Sequence, residues 1–579
     1  MKTKYLSVLL MMILQSLCYG QFQKSVQVAN QHFHDLNIAP LDGTDDFIVA
    51  GNLFDSTMQN EELTLQRMDN SGNIVWFKKY NHASLQHLRV FDITTYLDLI
   101  FVTGSVDVGG FRQVMISRFD AINGNWLDTR HYEIVGPGFN SRGLKIEYTE
   151  SDADGDGSDD PGFVVVGFFS DCYNVDITCV NNNIGFVMRV DFGLNLIWTT
   201  EIDTNLSNNP QDYDFANGFT ETSDGFFITG SATGPISSSF QQASLHHKID
   251  FMGNFVWDNS YIFGNSNDIS VDAYYDAGSD EIYVLNNYSV SHYFGVTVIN
   301  NTTGVINFAK SWYVTQNDLN RYGFVIMESD ADPNNLVITG YDRDENWVDG
   351  NNNSYYGETN IFVYEFAKAT GAQVGPAYQY LVENIEPPGE DFNFWLFQMP
   401  LIYYPDISFR KVIPGTTGEY FHVGYRRNSS GGFVEEEVYR TPNHKRNECD
   451  NITFQLNLNA LSITSIPAIS GIVPNSVTPI TLNETVLSYT EEICFTTLGT
   501  NDLDEGKVEI YPNPAQNYFV INANYSQNYK IYDTMGRLVQ NGMFESKVPI
   551  NIDRLNSGIY FIQLESSTNQ GQLFKLIKR

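Results

Sequence analysis

One pattern recurs along most of this chain. A short apolar strand ends in Gly, a second strand ends in Asp, a Gly-Asn turn follows, and a third strand carries Trp. It is cleanest between residues 215 and 262, with Gly230, Asp250, Gly253-Asn254 and Trp257. Earlier copies hold Gly51, Asp69, Gly72-Asn73 and Trp76, then Gly104, Asp120, Gly124-Asn125 and Trp126, then Gly167, Asp191 and Trp198. In a fifth copy Asn286, Asn300 and Phe308 stand at the glycine, aspartate and tryptophan positions. A sixth keeps Leu336 to Gly340, and a seventh, the weakest, keeps Tyr420 to Gly424. A further strand precedes each apolar one across a turn such as Thr222-Ser223-Asp224-Gly225 or Asp276-Ala277-Gly278-Ser279-Asp280, where Gly, Asp and Ser are the expected turn residues.

The units recur roughly every 50–60 residues, a period that means a solenoid, a propeller or an array. Four antiparallel strands per unit, without helical periodicity, select an all-β fold: a seven-bladed β-propeller, whose radial blades leave little exposed edge. The seventh unit has no clear fourth strand after Tyr439, and Lys24 to Ala29 precede the first unit as fourth strands precede later ones. This segment is expected to pair into the last blade and close the ring, which removes two edges. Loops after the repeat glycine (168–184, 231–242, 341–360) and after the Trp strand (204–214, 383–406) should share one face. Long loops on a rigid scaffold are where binding usually lives.

The expected divisions are a propeller-like domain over 21–445, a β-rich stalk or accessory segment over 446–498, a linker over 499–506 and a C-terminal domain over 507–579. In the last, alternating strands and turns such as Asn541-Gly542 predict a small β-sandwich. Residues 1–20 read as a secretory signal peptide, with Lys2 and Lys4 ahead of an apolar run from Leu6 to Leu14. That run is too short to span a membrane, and no later segment is apolar enough to do so. Four Cys remain after it, Cys172, Cys179, Cys449 and Cys494. In an exported chain they suggest two disulfides, Cys172–Cys179 and Cys449–Cys494.

The chain has 69 acidic and 33 basic residues, a formal charge of −36, yet residues 507–579 hold eight basic and five acidic ones. The break supports a boundary near 500. An acidic body argues against nucleic acid or an anionic membrane as partner.

Four blocks in the C-terminal domain occur in order: Tyr511-Pro512-Asn513-Pro514, Ile531-Tyr532-Asp533 through Gly536-Arg537-Leu538-Val539, Leu555-Asn556-Ser557-Gly558-Ile559-Tyr560-Phe561, and Phe574-Lys575-Leu576-Ile577-Lys578. They resemble the C-terminal sorting domain of the Bacteroidetes type IX secretion system. The resemblance implies export across the inner membrane, then recognition by the outer-membrane translocon. It also implies removal of the domain, with the cargo released or held at the cell surface. It implies nothing about what the cargo does.

The strongest local chemistry in the body is Asp152-x-Asp154-x-Asp156-Gly157-x-x-Asp160. Carboxylates at alternate positions of a tight loop can converge on Ca²⁺, a hard cation that takes oxygen ligands. The loop resembles the short calcium loops of integrin-type propellers, which implies a structural role. Asp330-x-Asp332 and Asp342-x-Asp344-x-Asn346-x-x-Asp349 are weaker versions. The Asp-Gly-Trp element resembles sialidase Asp-boxes and quinoprotein propeller motifs only with altered spacing, and reads as a turn plus a core tryptophan. His246-His247 lies on a strand, where period two points the rings in opposite directions, against a metal pair. No His-Glu-x-x-His or Gly-x-Ser-x-Gly is present, and no catalytic residue is assigned. The reading is an exported binding or adhesion module for an extracellular glycan or protein ligand. The alternative is a secreted polysaccharide hydrolase or lyase.

Overall fold

The structure is a computed structural model. It describes residues 22–29, 31–55, 61–81, 87–134, 139–170, 183–203, 213–236, 239–258, 260–263, 268–288, 293–313, 319–329, 332–344, 347–348, 354–355, 359–375, 377–382, 411–414, 420–427, 434–441, 451–454, 457–460, 463–466, 469–472, 476–480, 483–486, 490–494, 509–511, 513, 515–522, 527–533, 537–564 and 573–579. Two compact units divide at residues 496 and 497.

The first unit is a seven-bladed β-propeller. Blade 1 holds Gln31–Pro40, Phe47–Asp55, Glu61–Met68 and Ile74–Asn81, from the inside out. Blade 2 holds Leu88–Tyr96, Leu99–Val108, Phe111–Asp120 and Trp126–Glu133, and blade 3 Asn140–Thr149, Gly162–Ser170, Asn183–Asp191 and Leu196–Asp203. Blade 4 runs Tyr213–Thr222, Gly225–Ile236 and Ser239–Ile249, with an outer strand in two pieces, Phe255–Asp258 and Ser260–Phe263. Blade 5 is Asp268–Asp276, Glu281–Tyr288, Tyr293–Asn300 and Ile306–Tyr313; blade 6 is Leu319–Glu328, Asn335–Asp344, Thr359–Ala367 and Ala377–Val382. Innermost strands neighbour one another in blade order, and blade 7 returns to blade 1, so the ring is closed.

Closure uses the beginning of the chain. Lys411–Pro414, Tyr420–Arg427 and Val434–Thr441 form three strands of blade 7, and Phe22–Gln27 supplies the fourth, Phe22 opposite Arg440 and Val26 opposite Glu436. The expected loop 231–242 is a hairpin instead, paired up to Ile236 opposite Ser239. β-Branched and aromatic residues on both sides let the pairing run past the glycine.

The repeat glycine has a physical cause. In blades 1–6 the innermost strand slips register opposite it, as between Val90 and Asp92, Gly143 and Lys145, or Ala216 and Gly218. Such a bulge pushes backbone toward its partner. A Cβ on Gly104 or Gly167 would stand 1.9 Å from the carbonyl oxygen of Arg89 or Arg142, and one on Gly230 would stand 1.7 Å from that of Phe215. In blade 5 the buried Asn286 takes the position, its amide bonded to Val284 O and Thr297 Oγ1.

The Asp-Gly-Asn turn and the Trp form one joint between blades. Asp69 Oδ1 accepts the Ser71 and Asn73 amides, and the Asn73 side chain bonds Oδ2. Asp250 and Asn254 repeat this arrangement. Gly72, Gly124 and Gly253 adopt φ near +78, +68 and +80, which glycine tolerates at no steric cost. Three of the four Trp then reach the following blade: Trp76 Nε1 donates to Ala121 O at 3.2 Å, Trp198 to Phe251 O at 3.2 Å and Trp257 to Asn301 O at 2.8 Å, whereas Trp126 Nε1 donates to Thr129 Oγ1 on its own strand at 3.0 Å. A Cβ on Gly124 or Gly253 would press into the Trp76 or Trp198 ring at 2.8 or 2.7 Å. Aspartate and tryptophan are therefore scaffold. Apolar clusters fill the spaces between adjacent blades, for example Phe33, Phe47, Phe421 and Val438 between blades 1 and 7.

Residues 446–498, expected as a stalk or accessory segment, contribute seven short strands, each on the outer edge of one blade. Asn451–Phe454 pairs with blade 6, Asn457–Ala460 with blade 5, Ile463–Ile466 with blade 4 and Ile469–Ile472 with blade 3. Ser476–Ile480 pairs with blade 2, Asn483–Val486 with blade 1 and Thr490–Cys494 with blade 7. The strap thus runs backwards around the ring, and every pairing is antiparallel.

The second unit is a β-sandwich. One sheet orders Glu509–Tyr511, Tyr518–Asn522 and Pro549–Asn551; the other orders Leu538–Phe544, Gln527–Asp533, Gly558–Leu564 and Leu573–Lys578. Phe519, Ile521, Ile531, Ile562 and Leu576 are among its shared core.

Both His246 and His247 are fully buried. His246 meets Ser270 Oγ at 3.0 Å, whereas neither ring nitrogen of His247 has a hydrogen-bond partner among the described residues. Burial lowers His246 to about 3 and His247 to about 4, from 6.5.

Two outcomes follow for stability. Gly230→Ala should cost about 3 kcal/mol, because backbone must move, while exposed Gly278→Ala should stay within about 0.5 kcal/mol; equilibrium denaturation measures both. The unfolded state takes up the His247 proton below pH 6.5 and the folded state only near 4, so stability is lost as pH falls through that window. The loss from His247 should approach about 3 kcal/mol, and His247→Leu should make the slope between pH 6.5 and 4 shallower in denaturation series, the buried His246 and His422 keeping their own share.

Candidate metal centre, channel and sorting domain

The acidic turn joins the two inner strands of blade 3. Asp152, Asp154 and Asp156 each place a carboxylate oxygen within 4.8 Å of the others. The loop is preshaped by its own backbone. Asp152 accepts the Gly155 amide at 2.7 Å and the Gly157 amide at 2.8 Å, Asp154 accepts that of Asp156 at 3.0 Å, and Asp156 that of Ser158 at 2.8 Å. Positive φ at Gly155 and Gly157 makes these bonds reachable. The Gly157 bond leads in holding the Asp152 carboxyl below its usual range. Asp160 stands outside this trio. Its Oδ2 accepts the Ala153 amide at 3.0 Å, and its carbonyl accepts from the buried Arg189, which also donates to Thr149 O. Burial lowers the Arg189 guanidinium to about 10, against the attraction of Glu221 and Asp160. Of the weaker acidic strings, Asp330, Asn346 and Asp349 lie outside the described residues. Asp332 caps its turn, accepting the Asn334 amide at 3.0 Å.

Innermost strands carry charged groups that the repeat reading passed over. Lys145 of blade 3 meets Glu147 at 2.8 Å and Asp272 of blade 5 at 3.2 Å. Burial opposes its charge, but the two carboxylates more than offset this and raise its pKa. Lys368 of blade 6 sits 3.1 Å from Asp276 and 3.0 Å from Glu328, over the ring of Tyr274. Burial again opposes its charge, and the bonds to Glu328 and Asp276 raise its pKa. Glu221 of blade 4 lies near Glu147 and Glu150; loss of water around its carboxyl raises it, against Thr149 and Arg189. Sequence gives these groups little signal, since Lys145, Asp272, Asp276 and Glu328 sit on inner strands of mixed polarity and Lys368 follows the third strand of blade 6. Residues 145 and 272 meet because the inner strands of blades 3 and 5 curve toward one another around blade 4.

In the C-terminal unit Asn513 acts as a piece of strand. Its Nδ2 donates to Lys575 O at 2.7 Å, and its Oδ1 accepts the Ile577 amide at 2.9 Å. Ala515 continues the pairing, donating to Ile577 O and accepting the Arg579 amide, both at 2.8 Å. The block that begins at Tyr511 thus clasps the last strand. Tyr560 is buried and donates to Asn556 O at 2.8 Å. Asp533 ends its strand opposite Tyr560, and Gly558 opens the next opposite Lys578. Lys578 is buried, Lys575 and Arg537 exposed. Pro512, Pro514 and Gly536 lie outside the described residues, as do Cys172, Cys179, Cys449 and residues 1–20. Cys494 ends the last strap strand. Among the described residues no helix is long and apolar enough to cross a membrane.

Comparison with curated proteins returns no match. Among solved structures, Phage phi92 endosialidase is 10% identical, covering 74% of this chain and 70% of its own, with a TM-score of 0.34. Sqt1 from Chaetomium thermophilum is 10% identical, covering 72% and 98%, with a TM-score of 0.30. The extracellular domain of a hybrid two-component system from B. thetaiotaomicron is 9% identical, covering 94% and 91%, with a TM-score of 0.15. At these scores the likenesses carry no argument about what the chain does. Residues 509–579 match the family described as "Secretion system C-terminal sorting domain". The chain is therefore a secreted or cell-surface protein that carries a type IX secretion C-terminal sorting domain at residues 509–579.

Proposed function

We propose that the propeller is a binding or adhesion module for an extracellular glycan or protein ligand, delivered through the type IX translocon by its C-terminal domain. One observation carries the reading. Four long connections in the ring, 171–182, 204–212, 345–358 and 383–410, join strand ends on one face of a closed scaffold. A rigid ring can hold such connections in fixed relation, which lowers the ordering cost of binding. In the alternative, a polysaccharide hydrolase or lyase, Glu221 is the candidate acid, because it stands near the carboxylates of Glu147 and Glu150 at the end of an inner strand.

The acidic turn is read as a structural Ca²⁺ site, with Asp152, Asp154 and Asp156 as its carboxylate ligands. The donor set suits that hard ion, and three carboxylates whose oxygens lie within 4.8 Å repel one another without a cation. Asp160 serves the turn by capping it.

A glycan array probed with the mature chain should show selective binding without turnover. A consumed polysaccharide, with activity lost in Glu221→Gln, would replace the binding reading with the enzymatic one. For the cation, a chelator should lower the melting temperature by several degrees and added Ca²⁺ restore it. Asp154→Ala should abolish that response; a wild-type melting curve indifferent to chelator would end the idea.

A further inference from the structure

The strap has seven strands but only six chain connectors. Its connectors are 455–456, 461–462, 467–468, 473–475, 481–482 and 487–489, two or three residues each. Every one makes the same step, from the end of a strap strand on one blade to the start of the next strap strand on the neighbouring blade. The strap starts on blade 6 with Asn451 opposite Tyr380 and ends on blade 7 with Cys494 opposite Gln23. Blades 6 and 7 are neighbours. The strap has therefore gone round the whole ring, and its end faces its beginning across one more step of the same kind.

That step is within reach of a disulfide. A two-residue connector spans at most about 10 Å, three extended residue steps. Cys449 lies two residues before Asn451. A disulfide holds its Cα atoms about 5.5–6 Å apart, and two extended steps add about 7 Å. The sum, about 13 Å, exceeds the reach of a two-residue connector and equals that of a three-residue one such as 473–475 or 487–489, so the step can be bridged. We propose that Cys449 and Cys494 are joined, and that the bond turns the strap into a covalent hoop around the propeller. This goes beyond a local brace: each blade would lie inside a closed loop of backbone and one S–S bond. Phe22–Gln27 is held between Val434–Thr441 and the last strap strand, so the strand that closes the ring would lie under the clasp.

The chemistry needs an electron acceptor. Two thiols lose two protons and two electrons on forming a disulfide, and the disulfide of an oxidoreductase in the exported compartment takes them up to become a dithiol, or oxidised glutathione does so to become two glutathione thiols. The strap must be wrapped before the bond forms, because a loop closed early could not pass over seven blades.

Peptide mapping of the exported full-length chain under non-reducing conditions tests the bond. A peptide pair joining Cys449 to Cys494 is expected; free thiols at both, or pairing of either with Cys172 or Cys179, would overturn it. The hoop's role is tested by unfolding rates in denaturant, in a Cys172→Ser/Cys179→Ser background. Reduction should speed unfolding at least tenfold, and Cys494→Ser should match the reduced rate and lose its response to reductant. Should that variant not fold, oxidised and reduced wild-type chains give the comparison. Equal rates for the two would overturn the hoop's role even with the bond present.

Discussion

Every strand at the edge of a sheet offers backbone groups that need partners, and this molecule is organised by how it supplies them. A propeller blade has an inner and an outer edge. Ring closure through Phe22–Gln27 completes the seventh sheet with a strand from the other end of the chain. The strap then gives each of the seven outer edges an antiparallel partner. Its strands are only four or five residues long. So short a strand has little stability of its own, and its order comes from edges that already exist.

The joints between blades follow a second constraint, contact too close for a side chain. The inner bulge brings a carbonyl oxygen onto the repeat glycine, and the Trp of one blade packs on the turn glycine of the next. These positions couple local turn chemistry to assembly. A glycine chosen for positive φ at residue 124 or 253 also serves as the seat of a tryptophan. Where the pattern lapses, other residues take its place. Leu194 adopts φ +61 in blade 3, with Asp191 and Asn195 closing the turn as in the other blades.

What was legible in the sequence divides along these lines. Glycine, aspartate, asparagine and tryptophan at fixed offsets exposed the blades, because each has a local cause. Closure by the first strand was legible because one strand was missing and another was spare. The strap's path was not. Its strands look like any Thr/Ser/Ile-rich β segment, and their partners lie up to several hundred residues away. The Lys145–Asp272 and Lys368–Glu328 pairs were hidden because each joins residues of different strands that only the packing of the sheets brings together. The acidic turn was readable as a cluster, but sequence could not separate Asp160, which caps the turn, from the three aspartates that converge. In the C-terminal domain the blocks were readable as a signature, while the clasp of Asn513 on the last strand appears only in the pairing.

Chain order bears on how such a unit reaches its folded state. The pairing of Phe22 with Arg440 closes a loop of more than four hundred residues. Loop-closure cost grows only with the logarithm of length, but contacts of such separation form slowly. The first six blades need no such contact, since each is built from consecutive hairpins. The last blade waits for strands from both ends, and the strap needs all seven outer strands in place. The segment that meets the first strand from outside is also the one that leads into the sorting domain. The last contacts of the propeller therefore form in the part of the chain nearest the sorting domain.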